Sequence, residues 1–382
     1  MAARADRLSL PVSAPGTRRE LVVHRYGAPG ARPKAYLHAS LHADELPGML
    51  ALHHLLDLLD DCDRAGRLRG EIVVVPVANP IGLDQVVNGT HLGRYGLAGG
   101  GNFNRGWPNL APLVADGLAA CLGSDGPANV ARIREALVAT VAGLDARTEI
   151  AALRRVLLGL AIDADLVLDL HCDEVGLAHL YTAPACWDDL KPLAASLGCA
   201  AVLLAEASGG GPFDECVNGP WPALAERFGP GVPIPQACLS ATVELRGKMD
   251  VSDAGAERDA RAILQFLALR GFAEPGEAAA APGPVPQATR LDAVDVVRSP
   301  AAGILCYARR VGDMLRKGDA VATVLDPLAA DRAASRTVVR TITDGVLLTT
   351  LRHPLVRAGA VIAKVVGQQP LPTRAAGMLL DD

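Results

Sequence analysis

Short, mostly apolar runs that recur between helical stretches constrain this chain more than any other feature. Lys34–Ala39 (KAYLHA), Glu71–Ala78 (EIVVVPVA), Leu166–Leu170 (LVLDL), Ala178–Thr182, Ala200–Ala205 and Cys238–Leu245 (CLSATVEL) read as strands. Strands this apolar must be covered on both faces. Glu45–Leu59 has helical spacing, with Leu46, Met49, Leu50, His53, Leu56 and Leu59 near one face. Ala128–Leu160 and Asp253–Leu269 also read as helical. The alternation from about Arg32 to Phe272 predicts an α/β sandwich, a sheet with helices on both faces. Residues 82–108 interrupt it with a long loop rich in Gly and Asn. A long ordered loop inside a compact domain is usually functional.

The pattern changes after Phe272. Ala273–Thr289 is rich in Pro, Ala and Gly and reads as a linker. Val294–Gly367 has short β-type runs and many glycines. A weak repeat is present: Gly303-Ile-Leu answers Gly345-Val-Leu, and Arg316-Lys-Gly318 answers Arg357-Ala-Gly359. Two such units packed face to face predict a small β-sandwich. With 382 residues, two domains are expected: 1–272 and 290–382, joined by 273–289.

Composition narrows the function classes. Half the residues are hydrophobic, and the formal net charge is −5 without any basic run, so a nucleic-acid footprint is not expected. No run approaches the ~18 apolar residues of a membrane span, and the residues after Met1–Ser9 are not those of a secretory signal. The eight cysteines are irregularly spaced, with no Cys-x-x-Cys pair, which fits reduced thiols in a cytoplasm.

Four segments carry chemistry. His38-Ala-Ser-Leu-His42-Ala-Asp-Glu45 sits where a strand ends and a helix begins, and a His and a Glu three apart can face one centre. Imidazole and carboxylate both suit zinc. His38, four residues before His42, is a rival ligand. Asp169-Leu-His171 ends a second strand, with both polar side chains on one face. Asp169 there suits the orientation of a ligand, although a histidine bonded to a backbone carbonyl has the same pattern. Thr242-Val-Glu244-Leu ends a third strand. A carboxylate there is costly to bury unless it works or pairs with Arg246 or Lys248. Gly99-Gly-Gly-Asn102-Phe-Asn104-Arg105-Gly-Trp-Pro108 offers an amide and a bidentate cation for a carboxylate or an oxyanion; the alternative is a surface turn with Arg105 stacked on Trp107. In open α/β sheets, sites gather at the carboxyl ends of strands.

The ordered motifs HASLHADELPG, ANPIG, NFNRGWP, DLH and TVEL resemble the succinylglutamate desuccinylase and aspartoacylase family, relatives of the zinc carboxypeptidases, over roughly residues 20–272. The resemblance implies a zinc-carboxypeptidase-like mixed sheet flanked by helices. It implies one Zn2+ per chain on His42, Glu45 and His171, with Glu244 as general base. Asn104 and Arg105 would bind substrate, and Arg94 would be a further catalytic arginine. Phe103 and Arg246 depart from the family pattern. The expected activity is hydrolysis of an amide in a small carboxylate-bearing molecule; a peptide-cleaving carboxypeptidase and a non-catalytic binding protein are the alternatives. The tail resembles a biotinyl or lipoyl carrier fold. Pro327–Val338 lacks the lysine of a working carrier, so the tail reads as a cap or a unit for homo-oligomerisation.

Overall fold

A computed structural model describes residues 4–276 and 282–374. Its centre is a nine-stranded mixed sheet. The strand order is Arg4–Ser9, Glu20–Tyr26, Glu71–Val75, Lys34–Ala39, Leu166–Asp173, Leu239–Gly247, His179–Thr182, Ala201–Leu204 and Ala288–Arg290. The four strands from Glu71–Val75 to Leu239–Gly247 run parallel to one another, and they are buried on both faces as their apolar composition requires. The two N-terminal strands pair antiparallel to each other and then to Glu71–Val75. They were not expected from the sequence, because the outermost alternates between exposed and half-buried positions and has no apolar face to betray it.

Helices cover both faces of the sheet. Leu46–Arg64, Trp187–Ser196 and Asp253–Leu269 enclose one core, in which Leu52, Leu55, Leu59, Ile263 and Phe266 are fully buried or nearly so. Each such side chain contributes about 1.5–3 kcal/mol by leaving water. On the other face lie Ala111–Leu118, Gly126–Ala142, Glu149–Ala161 and Pro220–Phe228, packed around Tyr36, Phe213 and Trp221. The expected single helical stretch over Ala128–Leu160 is two helices. Asp125 and Thr148 each accept a hydrogen bond from the backbone of a helix start, and these caps fix separate beginnings.

The buried face of Leu46–Arg64 also differs from expectation. Of the expected face, Leu56 and Leu59 are buried, Met49 and Leu50 are half-buried, and Leu46 and His53 are exposed, while Gly48, Ala51, Leu52, Leu55 and Cys62 also face inward. The helix is apolar around more than half its circumference, so its periodicity admits two stripes. Gly48 selects the one that packs: a Cβ there would stand 2.9 Å from Leu170 Cβ and 3.1 Å from Ala39 Cβ. The missing side chain lets the helix start lie directly on the two strands that end at the site.

Beyond Arg290 the described chain forms two small sheets. One orders Val294–Arg298, Val361–Val366, Gly345–Thr350 and Met314–Leu315; the other orders Arg336–Arg340, Ala320–Leu325, Gly303–Tyr307 and Leu355–Val356. The sequence repeat is visible here. Gly303–Tyr307 pairs with Ala320–Leu325 in one sheet, as Gly345–Thr350 pairs with Val361–Val366 in the other, and the sheets share a core that includes Leu305, Val324, Leu347 and Val365. The expected linker is corrected at its end: Ala288–Arg290 is the edge strand of the large sheet, parallel to Ala201–Leu204. Residues 277–281 of that segment lie outside the described residues. The C-terminal region is also joined to the large sheet's tip, because Thr349 and Thr350 pair with the two-residue strand Val175–Gly176.

Candidate active site

The strand Lys34–Ala39 ends in a left-handed turn at Ser40, where φ is 64°. A non-glycine residue held there costs of order 1–3 kcal/mol, and such strain concentrates at functional sites. The turn brings Leu41–Glu45 back over the strand ends. Asn79, from the ANPIG segment, pins it by donating from Nδ2 to Leu41 O at 2.9 Å, while Ala43 N donates to Gly93 O at 3.0 Å. Glu45 then stands at the N-cap of Leu46–Arg64.

His42, Glu45 and His171 converge. Nδ1 of His42 lies 3.1 Å from Glu45 Oε1, and Nδ1 of His171 lies 2.7 Å from Glu45 Oε2. All three side chains are buried and could together hold a metal ion. The outer ring nitrogens are also engaged: His42 Nε2 lies 2.8 Å from Asn102 Oδ1, and His171 Nε2 lies 2.9 Å from Asp169 Oδ1. Asn102 and Asp169 hold the two rings from outside, with both Nδ1 atoms turned toward the shared Glu45 carboxylate. Burial pushes His42 down to about 4, assisted by the cation of Arg94, which keeps the imidazole neutral as ligation requires. Burial disfavours the Glu45 carboxylate, yet His42 and His171 hold its pKa well below the ordinary value.

His38 is not part of this cluster. Its Nδ1 accepts from Tyr36 Oη at 2.9 Å and its Nε2 donates to Asp169 Oδ1 at 2.7 Å. It orients Asp169, which in turn orients His171. Asn102 is a site residue that the sequence did not single out. It lies in the same NFN segment as Asn104, and nothing in the spacing separates their tasks.

Glu244 lies beside this cluster, paired in register with His171 across adjacent strands. The salt-bridge alternative fails: Arg246 binds Asp259, and Lys248 donates at 2.6 Å to both Asp44 and Glu174. Arg246 itself sits at φ 67°, in the bulge that follows Glu244. Glu244 Oε2 is buried with no hydrogen-bond partner. Burial first, then the charges of Asp173 and Glu45, push the Glu244 carboxyl up to about 8.

Arg94 donates to Glu45 Oε1 at 3.1 Å. Asn104 is buried, with Nδ2 3.3 Å from Asp169 Oδ2 and 3.1 Å from His171 Nε2, and its Oδ1 accepts from Phe213 N at 2.9 Å. Arg105 donates to Asn104 O at 2.8 Å, and Arg154 lies over the Trp107 ring. These groups, with His42, His171 and Glu244, line one cavity of about 320 Å3. The C-terminal region also lines it, through residues that include Val296, Thr349, Thr350, Val361 and Lys364. His91 lies against Gly82 O, and His179 lies 3.4 Å from Asp173. All eight cysteines are unpaired, and among the described residues no helix is long and apolar enough to cross a membrane.

Residues 31–116 match the family model of the succinylglutamate desuccinylase/aspartoacylase catalytic domain. Two solved structures are similar over nearly the whole length. A protein from Shewanella amazonensis SB2B, described as a succinylglutamate desuccinylase/aspartoacylase family protein, is 26% identical with a TM-score of 0.82, covering 95% of this chain and 98% of its own. One from Shewanella frigidimarina NCIMB 400, assigned to the same family, is 24% identical with a TM-score of 0.84, covering 96% and 97%. The ectoine utilization protein EutE (DoeB) of Ruegeria pomeroyi, solved with product bound, shares the fold at 18% identity and a TM-score of 0.66, covering 96% and 95%. Among curated proteins no match is found. Over residues 31–116 the chain is similar to the succinylglutamate desuccinylase/aspartoacylase catalytic domain, and over nearly its whole length it shares the fold of structures assigned to that family.

Proposed function

We propose that the protein is a zinc-dependent deacylase that hydrolyses the amide bond of a small, carboxylate-bearing N-acyl compound. One observation carries the reading: two buried imidazole nitrogens face the two oxygens of one carboxylate, and an unpaired buried carboxylate stands beside them. A nitrogen, nitrogen and oxygen donor set, with the outer nitrogen of each ring held by an acceptor, fits Zn2+ on His42, Glu45 and His171. Zinc bound there would supply Lewis acidity, making water more acidic and polarising the amide carbonyl.

In this reading the chain's own groups do the rest. Glu244 takes the proton of the attacking water and passes it to the leaving amine, so amide and water become carboxylic acid and amine. Its raised pKa suits a group that must hold that proton between the two steps. Arg94, fixed by Glu45, donates to the oxyanion that develops on the former carbonyl, an effect typically worth a few kcal/mol. Arg105 takes a substrate carboxylate, and Asn104, shared between Asp169 and His171, keeps the floor of the site in place beneath it. Residues 1–272 are the catalytic unit in this reading, 290–382 close its cleft, and the free thiols fit a cytoplasmic setting.

The test is an activity screen of zinc-loaded protein on N-acetyl, N-succinyl and N-formyl amino acids, with Glu244→Gln in parallel. We expect turnover by the wild type and a loss of about 10²–10⁴ in kcat in the variant, with zinc retained. Near-normal activity of Glu244→Gln would remove Glu244 from the base role. Less than half an equivalent of zinc, with no gain on adding metal, would favour a non-catalytic binding protein.

A further inference from the structure

The segment from Asn102 to Trp107 gives Asn102 to His42 and places Asn104 and Arg105 in the cavity. Apart from a bridge between Tyr95 and Asn102 it belongs to no strand or helix, so its shape depends on what holds its carbonyls. Arg154, from the helix Glu149–Ala161, holds three of them. Its Nη2 donates to Arg105 O at 2.7 Å and to Asn102 O at 3.4 Å, and its Nη1 donates to Gly106 O at 3.3 Å. The same guanidinium lies over the Trp107 ring, 5.5 Å from its centre. Gly106 turns the segment at φ 68°, a left-handed conformation that glycine adopts without strain. On the other side, Gly106 N donates to Gly210 O at 2.7 Å and Trp107 N donates to Gly211 O at 3.0 Å. A Cβ on Gly210 would collide with Arg105 Cδ, so that glycine loop lies directly on the Arg105 side chain.

The choice of an arginine for this task is informative. Other inward-lying arginines are matched by carboxylates: Arg19 by Glu149, Arg134 by Asp165 and Arg246 by Asp259. Among the described residues no carboxylate pairs with Arg154, whose partners are neutral carbonyls, and burial lowers its pKa with no anion to offset it. Holding a half-buried cation without an anion costs free energy that a simple strut does not require. Two properties of the group offset that cost. A rigid fork with five N–H donors reaches the carbonyls of Asn102, Arg105 and Gly106 together, whereas a side-chain amide has two donors. The unneutralised charge beneath the segment also favours an anion beside Arg105.

We propose that Arg154 is a positioning residue: it fixes the backbone at Asn102 and Arg105, so that the Arg105 guanidinium meets a substrate carboxylate in one direction while Asn102 stays on His42. Arg154 itself does not line the cavity, so it acts through the segment it holds. The proposal rests on the deacylase reading and adds to it the element that sets the direction of carboxylate recognition, the helix Glu149–Ala161.

The test compares N-acetylglycine with N-ethylacetamide, which lacks the carboxylate. Calorimetric binding, kcat and KM are measured on zinc-loaded wild type, Arg154→Met, Arg154→Lys, Arg105→Gln and the double variant Arg105→Gln/Arg154→Met. The wild type is expected to favour N-acetylglycine. Arg154→Met should weaken its binding and raise its KM about tenfold to a hundredfold, the cost of misplacing a positioned contact, with kcat changed by less than about threefold. Binding of N-ethylacetamide should stay as in the wild type. Arg154→Lys keeps the charge without the fork and should recover part of the loss. The double variant should lose no more than Arg105→Gln alone, because a residue that acts through Arg105 then has nothing further to remove. A merely structural role would weaken both compounds alike and add its loss to that of Arg105→Gln. Unchanged N-acetylglycine binding in Arg154→Met, equal losses for the two compounds, or additive losses in the double variant overturn the proposal. Should Arg154→Met fail to fold, the same comparisons with Arg154→Lys decide. A wild type without the preference overturns the carboxylate role of Arg105 and this proposal with it. A wild type that shows the preference, loses it in Arg154→Met and cleaves neither compound overturns the deacylase reading alone.

Discussion

At the scale of single residues, the site is defined by what each polar group lacks. His42, Glu45 and His171 contact one another, and Asn102 and Asp169 hold the rings from outside. Glu244 Oε2 has no hydrogen-bond partner, so its cost to the fold is visible in pH dependence. Its folded-state pKa of about 8 stands above the ordinary 4.5, so the folded state favours the protonated form. That contribution is fully present below pH 4.5 and is lost as pH rises through about 8. Metal-free Glu244→Gln, which cannot ionise, should therefore be more stable than metal-free wild type at pH 8, by on the order of 1 kcal/mol or more, since a tenfold change in proton affinity between the folded and unfolded chain is worth about 1.4 kcal/mol. The gap should close near pH 4. Melting curves of both proteins across that range check it, and a gap independent of pH would contradict the burial cost assigned to this group.

At the scale of elements, the positions of Glu45 and His171 depend on how closely the helix Leu46–Arg64 lies on the strands. Gly48 permits that approach to Leu170 and Ala39. Gly48→Val should push the helix start off the strand ends, destabilising the protein by about 1–3 kcal/mol through overpacking. Because Glu45 moves with the helix start, zinc affinity measured by chelator competition should fall as well. Retained affinity at reduced stability would show that Ser40–Asp44 alone positions the carboxylate. Much of this arrangement was legible beforehand. The strands Lys34–Ala39 and Leu166–Asp173 are apolar enough to announce themselves, and their polar exceptions stand at their ends. The face of Leu46–Arg64 was not legible, since a helix this apolar offers two stripes and a glycine has no side chain to signal its packing.

At the scale of the whole molecule, the cleft is closed by chain from the far end of the sequence. The strand Gly345–Thr350 pairs with Val175–Gly176, and Leu348 packs with Tyr181 and Leu203, so the C-terminal sheet is fastened beside the candidate ligands. A cavity of about 320 Å3 is at the lower end of the size range for small-ligand pockets and leaves little room for an extended peptide. N-acyl amino acids should be cleaved in preference to pentapeptides of the same terminal residue by at least about a hundredfold in kcat/KM, the discrimination expected when most of a ligand cannot enter. Equal rates in a side-by-side assay would restore the peptidase alternative.

Local chemistry by itself determined which residues could ligate and catalyse. His171 and Glu244 are polar groups near the ends of apolar strands, and His42 and Glu45 lie in the buried turn that follows another, where desolvation makes an idle charge expensive. Tertiary structure alone decided how those groups are used. Whether Arg246 and Lys248 neutralise Glu244, whether Asn102 or Asn104 orients His42, and whether a lysine 120 positions after Glu244 reaches the same cavity are questions of which surfaces meet. Contacts between segments far apart in the chain leave no periodicity in either segment. Lys364 is therefore one polar residue in an apolar strand until the sheet that carries it is docked.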